Sequence, residues 1–149
     1  MNPHDHPGCF RPELVVIPCG SRKLSRPARA ADMYVGSYHR ACRRTAEALR
    51  PERLLILSAR YGLVDLDDMI EPYDTAHGTA RATTRERILR QARDRGIVRL
   101  DPVVALGGGR HTALIRGVSP HAHAPLAGAG SLGAQMARLA ALREGRSGR

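Results

Sequence analysis

Leu14-Val15-Val16-Ile17-Pro18-Cys19-Gly20-Ser21-Arg22-Lys23 is the stretch on which the fold turns. Four apolar residues run without interruption and stop at a proline. The run is too short for a helix and shows no polar alternation, so it predicts a strand buried on both faces, as in a parallel sheet. Two later stretches repeat the pattern. Leu54-Leu55-Ile56-Leu57 ends at Ser58, and Pro102-Val103-Val104-Ala105-Leu106 runs into Gly107-Gly108-Gly109. Each is followed by residues unsuited to a core: Pro18 to Lys23, Ser58-Ala59-Arg60-Tyr61-Gly62-Leu63, and Gly107 to His111.

Helical patterns lie between and after these runs. Residues 32–49 place Cys42, Thr45, Ala46 and Leu49 on one face, with Asp32 as the expected N-cap and Pro51 beyond the end. Residues 84–95 carry an Ile88, Leu89 and Ala92 stripe behind Thr83 or Thr84 and stop at Gly96. Residues 110–116 follow the triple glycine, and residues 131–143 turn Leu132, Met136, Leu139 and Leu142 inward. Residues 19–31, 59–78 and 117–130 read as loops. Strands alternating with helices predict an α/β fold, a three-layer αβα sandwich with a small, mainly parallel central sheet. In such sheets ligands sit at the carboxyl ends of the strands. The expected organisation is a flexible leader over residues 1–12, one α/β domain over 13–143 and a disordered tail over 144–149.

Composition narrows the function classes. The chain has 149 residues, 42% hydrophobic, which suits a globular domain. Aromatics make up only 3%, with no Trp, which disfavours an extended stacking platform for single-stranded RNA. No apolar run approaches the ~18 residues of a membrane span, and the first residues lack the apolar segment of a signal peptide. A cytoplasmic protein with no membrane partner is expected. The formal charge of +10 favours polyanionic partners. Lys23 is the only lysine among 24 basic residues. A lone lysine in an arginine-rich chain points to a site where a compact amine is needed, because lysine can lose its proton and act as a nucleophile and arginine cannot. The three cysteines, odd in number and without a C-x-x-C pair, argue against a disulfide framework or a zinc ribbon. His4 with His6, and His121 with His123, read as solvated loop histidines. No metal site and no cofactor is expected.

The strand-end motifs carry the candidate chemistry. Gly20 permits close backbone approach, Ser21 can hold an anion or a carbonyl edge, and Cys19 stands at the strand end either as a contact or as a small buried hydrophobe. Tyr61 offers a stacking face and a hydroxyl to a planar heterocycle, with Gly62 allowing the turn after it. An acidic cluster follows: Asp65, Asp67, Asp68, Glu71 and Asp74. It reads either as a source of a general base or as a solvated loop balancing arginines, and Glu71-Pro72-Tyr73-Asp74 closes it. Gly107, Gly108 and Gly109 before a helix start make an anion site with Arg110 and His111. The pattern is neither a Walker loop nor a dinucleotide fingerprint.

Pro18-Cys19-Gly20-Ser21-Arg22-Lys23, then Asp32 to His39, then Leu57-Ser58-Ala59-Arg60-Tyr61-Gly62-Leu63-Val64-Asp65 and Glu71-Pro72-Tyr73-Asp74, together resemble a bacterial and phage domain of unknown function. That domain carries C-x-x-x-K, L-Y-x-G, S-A-x-Y-G-L and P-Y-D motifs in this order. The likeness is good over residues 14–78. Pro18, Cys19, Lys23, Tyr34 and Ser37 are also distantly similar to the core motif of archaeosine synthase, a relative of the tRNA-guanine transglycosylases. Here about ten extra residues separate Lys23 from Tyr34, and His39 sits one place early. A looser similarity to the peroxide-stress family linked to DNA protection keeps nucleic acid in view. The resemblance implies a pocket for a purine-like base or its N-glycoside.

The expected function is therefore an enzyme of nucleobase, nucleoside or nucleotide chemistry that cleaves or transfers an N-glycosidic bond. Lys23, Asp65 and Asp74 are the expected catalytic residues. Tyr34 and Tyr61 would sandwich or edge the base. Cys19, Gly20, Ser21, Ser37, His39, Ser58, Gly62, Tyr73, Gly107, Gly108, Gly109, Arg110 and His111 complete the expected binding set. The alternative is a non-catalytic module for nucleic acid or a nucleotide. A nucleoside, nucleotide or nucleic acid is the expected partner, and a homodimer is left open.

Overall fold

The computed structural model describes residues 11–145. Its elements run β1 (Leu14–Pro18), β2 (Ala28–Arg29), α1 (Ala30–Met33), α2 (Ser37–Ala48), β3 (Arg53–Ser58), β4 (Gly62–Asp65), β5 (Met69–Ile70), α3 (Arg85–Asp94), β6 (Val103–Ala105), α4 (Gly109–Arg116) and α5 (Leu132–Arg143). The central sheet has the order β4-β3-β1-β6. β1 pairs in parallel with β3 and with β6, while β4 runs antiparallel to β3. β2 and β5 form a separate antiparallel ribbon.

The continuous apolar runs are explained by burial on both faces. Side chains alternate across a strand. Val15 and Ile17 therefore pack with Ala41, Cys42 and Ala46 of α2 and Leu139 of α5. Leu14 and Val16 pack with Ile88 and Ala92 of α3 and Ile115 of α4 on the opposite face. Each fully buried Leu, Ile or Val contributes about 2 kcal/mol, so β1, central and covered twice, is the keel of the fold. The helix starts follow from local chemistry: the Thr84 side chain accepts from Arg87 N, and the Ser131 side chain from Ala134 N.

The structure departs from the sequence reading in four places. The helix expected over residues 32–49 is two helices. Tyr34 is extended after α1 and bridges to Lys23, and α2 starts afresh behind Gly36. Asp32 lies inside α1 and is not an N-cap. The loop expected over residues 59–78 begins as a hairpin, with Ser58 opposite Gly62 and Leu55 opposite Asp65. Leu132, expected inward, is 60% exposed, whereas Leu139 is fully buried. Of the expected leader, residues 1–10 lie outside the described residues, while Pro12 is buried and its carbonyl accepts from Glu52 N. Of the expected tail, residues 146–149 lie outside them too.

Candidate functional site

Because β1, β3 and β6 are parallel, their carboxyl ends share one edge of the sheet, with Pro18 beside Leu57 and Val16 beside Ala105. The chain leaves β1 toward α2 on one face and leaves β6 toward α4 on the other. Neighbouring strands with exits to opposite faces open a crevice at this edge, where open α/β sheets place their ligands.

A hydrogen-bonded tyrosine cluster organises the β3 end. Ser58, fully buried, accepts from Arg60 N at 3.1 Å and Tyr61 N at 3.0 Å, which bends the chain out of β3. Its hydroxyl donates to the Tyr73 hydroxyl at 2.8 Å. Tyr73 and Tyr34 hydroxyls lie 2.6 Å apart. With the Ser58 proton committed to Tyr73, the Tyr73 proton is free to serve Tyr34. Tyr61 and Tyr34 both meet Tyr73 edge-on, at centroid distances of 5.7 and 6.4 Å. Burial pushes the Tyr34 phenol up to about 12, and Tyr73 is also raised, chiefly by burial, so both stay neutral hydrogen-bonding groups. Gly62 turns the chain into β4 with φ +77. Gln91 of α3 clamps the turn, accepting from Leu63 N and donating to Tyr61 O, each at 2.8 Å.

Two adjoining clefts meet at Tyr73 and Asp74. The smaller, about 290 Å³, is lined by Ser21, Lys23, Leu24 and Ser25 besides that pair and Pro72, which both clefts also share. The larger, about 640 Å³, has Tyr61, Arg60, Glu71 and Arg81 around the same two residues. Lys23 Nζ sits 4.4 Å from the Tyr73 ring centroid and donates to Ser21 O at 3.4 Å. The ammonium is thus held over an aromatic face. The arrangement offers a flat aromatic wall, a cation and exposed carboxylates within one concavity.

Two histidines brace β1, His39 from α2 and His111 from α4, on opposite faces of the sheet. His39 Nδ1 meets Pro18 O at 2.8 Å, and His111 Nε2 meets Val16 O at 2.9 Å. These nitrogens must carry the protons to donate to carbonyls, which leaves His39 Nε2 and His111 Nδ1 as acceptors, both buried and unpartnered. Burial lowers both imidazoles, His111 to about 4, so they stand neutral. A Cβ at Gly107 would lie 2.6 Å from the His111 ring, so glycine there lets the chain pass over it.

The expected site residues divide accordingly. Lys23, Ser21, Tyr61, Tyr73 and Asp74 come together. Cys19 is half-buried and packs against the core beside them, and Gly20 lies under His39 and Tyr34. Tyr34 does not form one half of a sandwich with Tyr61, because the residue is buried, with 3% exposure. Ser58 is buried and its hydrogen-bonding capacity is filled, so it shapes the turn and does not face a ligand. Gly62 is a turn residue. Asp65 is not at the strand ends: it stands opposite Leu55, midway along β3, ion-paired to Arg95 and 3.9 Å from Arg53. Asp67 pairs with Arg29 at 2.8 Å and Asp68 lies 3.6 Å from Arg95. Most of the acidic cluster is thus spent on arginines. Gly108 and Gly109 line another cleft, of about 460 Å³, with Arg116 and Gln135. Arg110 donates to His77 O. Ser37 lines a basic cleft on α2. Arg60, Arg81 and Gln91 were not singled out as site residues, and Glu71 was named only within the acidic cluster. Arg60 and Glu71 do fall inside the quoted stretches, whereas Gln91 is about two turns into α3 and carries no local signal. Among the described residues no group of three or more His, Cys, Asp or Glu could hold a metal, and no helix is long and apolar enough to cross a membrane.

Residues 14–141 match the model of a family of unknown function, DUF6884, and the chain belongs to it. It is similar to the uncharacterized protein YfjM of Bacillus subtilis (strain 168), with 32% identity over 120 residues, covering 74% of this chain and 79% of the relative. No solved structure matches with significance.

Proposed function

We propose that the cleft around Tyr73 and Asp74 binds a nucleobase as its nucleoside, nucleotide or polynucleotide, and that the chain cleaves or exchanges the N-glycosidic bond. The observation that carries this reading is the junction itself: an aromatic-walled cleft and a lysine-lined cleft share Tyr73 and Asp74. A planar base stacks on the exposed face of Tyr61, and the sugar carbon lies toward Asp74. As the bond from that carbon to the base nitrogen breaks, its electron pair leaves with the base and positive charge develops on the sugar. A fixed carboxylate favours that charge, and water or an incoming base then bonds to the carbon. Lys23 holds a phosphate or sugar oxygen, or forms the covalent bond itself. The similarity of Pro18, Cys19, Lys23, Tyr34 and Ser37 to the archaeosine synthase motif points to the same ligand class.

The test is incubation with a panel of nucleosides, nucleotides and single-stranded DNA and RNA, followed by chromatography for free or exchanged base. At least one substrate is expected to yield product, with turnover lost in Asp74→Asn. Binding without turnover across the panel would replace this reading with a non-catalytic module.

A further inference from the structure

A basic cleft of about 720 Å³ lies on the α2 side of the molecule, away from Tyr61 and Asp74. Arg22, Arg40, Arg43 and Arg44 line it, together with Ser37. Its one carboxylate, Glu47, is taken by Arg43 at 3.1 Å, and Arg43 is further pinned to Ala31 O. Among the described residues Arg22, Arg40 and Arg44 make no ion pair. Arg29, Arg53 and Arg95, elsewhere on the chain, each face a carboxylate. Concentrated, unpaired guanidinium groups in a concavity are unfavourable to keep together unless an anion comes to them. Planar guanidinium forks suit phosphate in particular.

The cleft is also joined to the base site through the backbone. Lys23 bridges to Tyr34, and Val35 N donates to Arg22 O at 3.0 Å, so residues 22–24 run as a short extended segment. Successive side chains of such a segment point to opposite sides. Lys23 accordingly lines the Tyr73 cleft while Arg22 lines the basic one. The two sites are back to back across adjacent residues, ~3.8 Å apart at Cα.

We infer that the arginine cleft holds the sugar-phosphate backbone of a nucleic-acid strand whose target base enters the Tyr73 cleft. The choice of nucleic acid over other polyanions rests on the base-binding reading of that cleft. Three unpaired arginines spread over about 720 Å³ exceed what one free phosphate needs and match consecutive phosphodiesters.

Fluorescence anisotropy with labelled 12-nucleotide single-stranded DNA and RNA, across a salt series, tests this. The Arg40→Glu/Arg44→Glu double variant is expected to bind on the order of tenfold or more weakly, with a salt slope smaller by about 2. Arg90→Glu/Arg93→Glu on α3 changes the net charge equally and is expected to bind within about threefold of wild type, since exposed charges beyond a Debye length are screened. Equal loss in both double variants, no oligonucleotide binding by wild type, or preference for a phosphopeptide or anionic vesicle would each overturn the inference. Its failure is separable from that of the base chemistry. Oligonucleotide binding through the cleft with no base released from any substrate keeps the inference and removes the chemistry. Base release from free nucleosides, unchanged in Arg40→Glu/Arg44→Glu and without oligonucleotide binding, does the reverse.

Discussion

Lys23 illustrates how one side chain can be singled out by sequence and then given its setting by structure. Its isolation among arginines marks it, but the ring it covers, Tyr73, is fifty residues away in sequence and no local pattern announces the contact. Arginine would bring a larger, planar head into a cleft of about 290 Å³. Lys23→Arg is expected to abolish base release almost as fully as Lys23→Ala, while both variants melt within a few degrees of wild type, as substitutions away from the core do. An active Lys23→Arg would reduce the lysine to a generic phosphate clamp. His111 supports a prediction of a different kind. Its folded value of about 4 lies below the ordinary 6.5 because the ring is buried. On acidification the unfolded chain therefore takes up the proton first. The stabilisation is fully present above pH 6.5 and is lost as pH falls toward 4, a span of on the order of 3 kcal/mol. His39 and His77 are lowered as well, in the same sense. Urea midpoints at pH 7.5, 5.5 and 4.5 should fall less steeply in His111→Gln, which keeps a donor for Val16 O and does not titrate. Parallel curves would assign the acid sensitivity elsewhere.

At the level of elements, what was legible is what is encoded locally. The three buried strands, a threonine cap at 83 or 84 and much of the helix faces follow from residues a few positions apart, although Leu132 proves exposed. The β3–β4 hairpin and the β2–β5 ribbon were not legible, since β4 is only four residues long and β2 and β5 two each. The turn between β3 and β4 is held by partners distant in sequence, Tyr73 on Ser58 and Gln91 on Leu63 and Tyr61. Gly62 is where this can be probed. Its φ of +77 disfavours any side chain, and a Cβ there would lie 2.2 Å from Gln91 Oε1. Gly62→Ala should destabilise the chain by about 2 kcal/mol in chemical denaturation, in the range for strained backbone. The Gly62→Ala/Gln91→Ala pair should lose less than the sum of its single changes, because the second substitution removes the clash but not the φ penalty. Strict additivity would show that Gln91 does not press on this turn.

At the scale of the whole molecule the acidic cluster divides into two groups, a division the sequence could not supply, since Asp65, Asp67, Asp68, Glu71 and Asp74 all lie within ten residues of one another. Whether a carboxylate holds the fold or faces a cleft depends on where β4 ends and on which arginines α3 brings across. Asp65 closes a network in which Arg95, at the end of α3, and Arg53, at the start of β3, approach one carboxylate, tying helix, strand and hairpin together. Arg95 also donates to Leu63 O at 3.0 Å. Asp74 is exposed at the cleft junction, and neither it nor Glu71 makes an ion pair among the described residues. These positions predict opposite phenotypes for the same chemical change. Asp65→Asn removes the charge that Arg95 and Arg53 face. With the carboxylate 44% exposed, solvent screening limits the loss to about 1 kcal/mol, or about 3 °C in melting temperature for a domain of this size. Base release per folded molecule should be unchanged. Asp74→Asn should leave the melting temperature where it is and remove the turnover. Paired melting and product-release measurements on the two variants decide the matter. Loss of turnover in a well-folded Asp65→Asn would return that residue to the chemistry, and full activity in Asp74→Asn would take the carboxylate role away from the cleft junction.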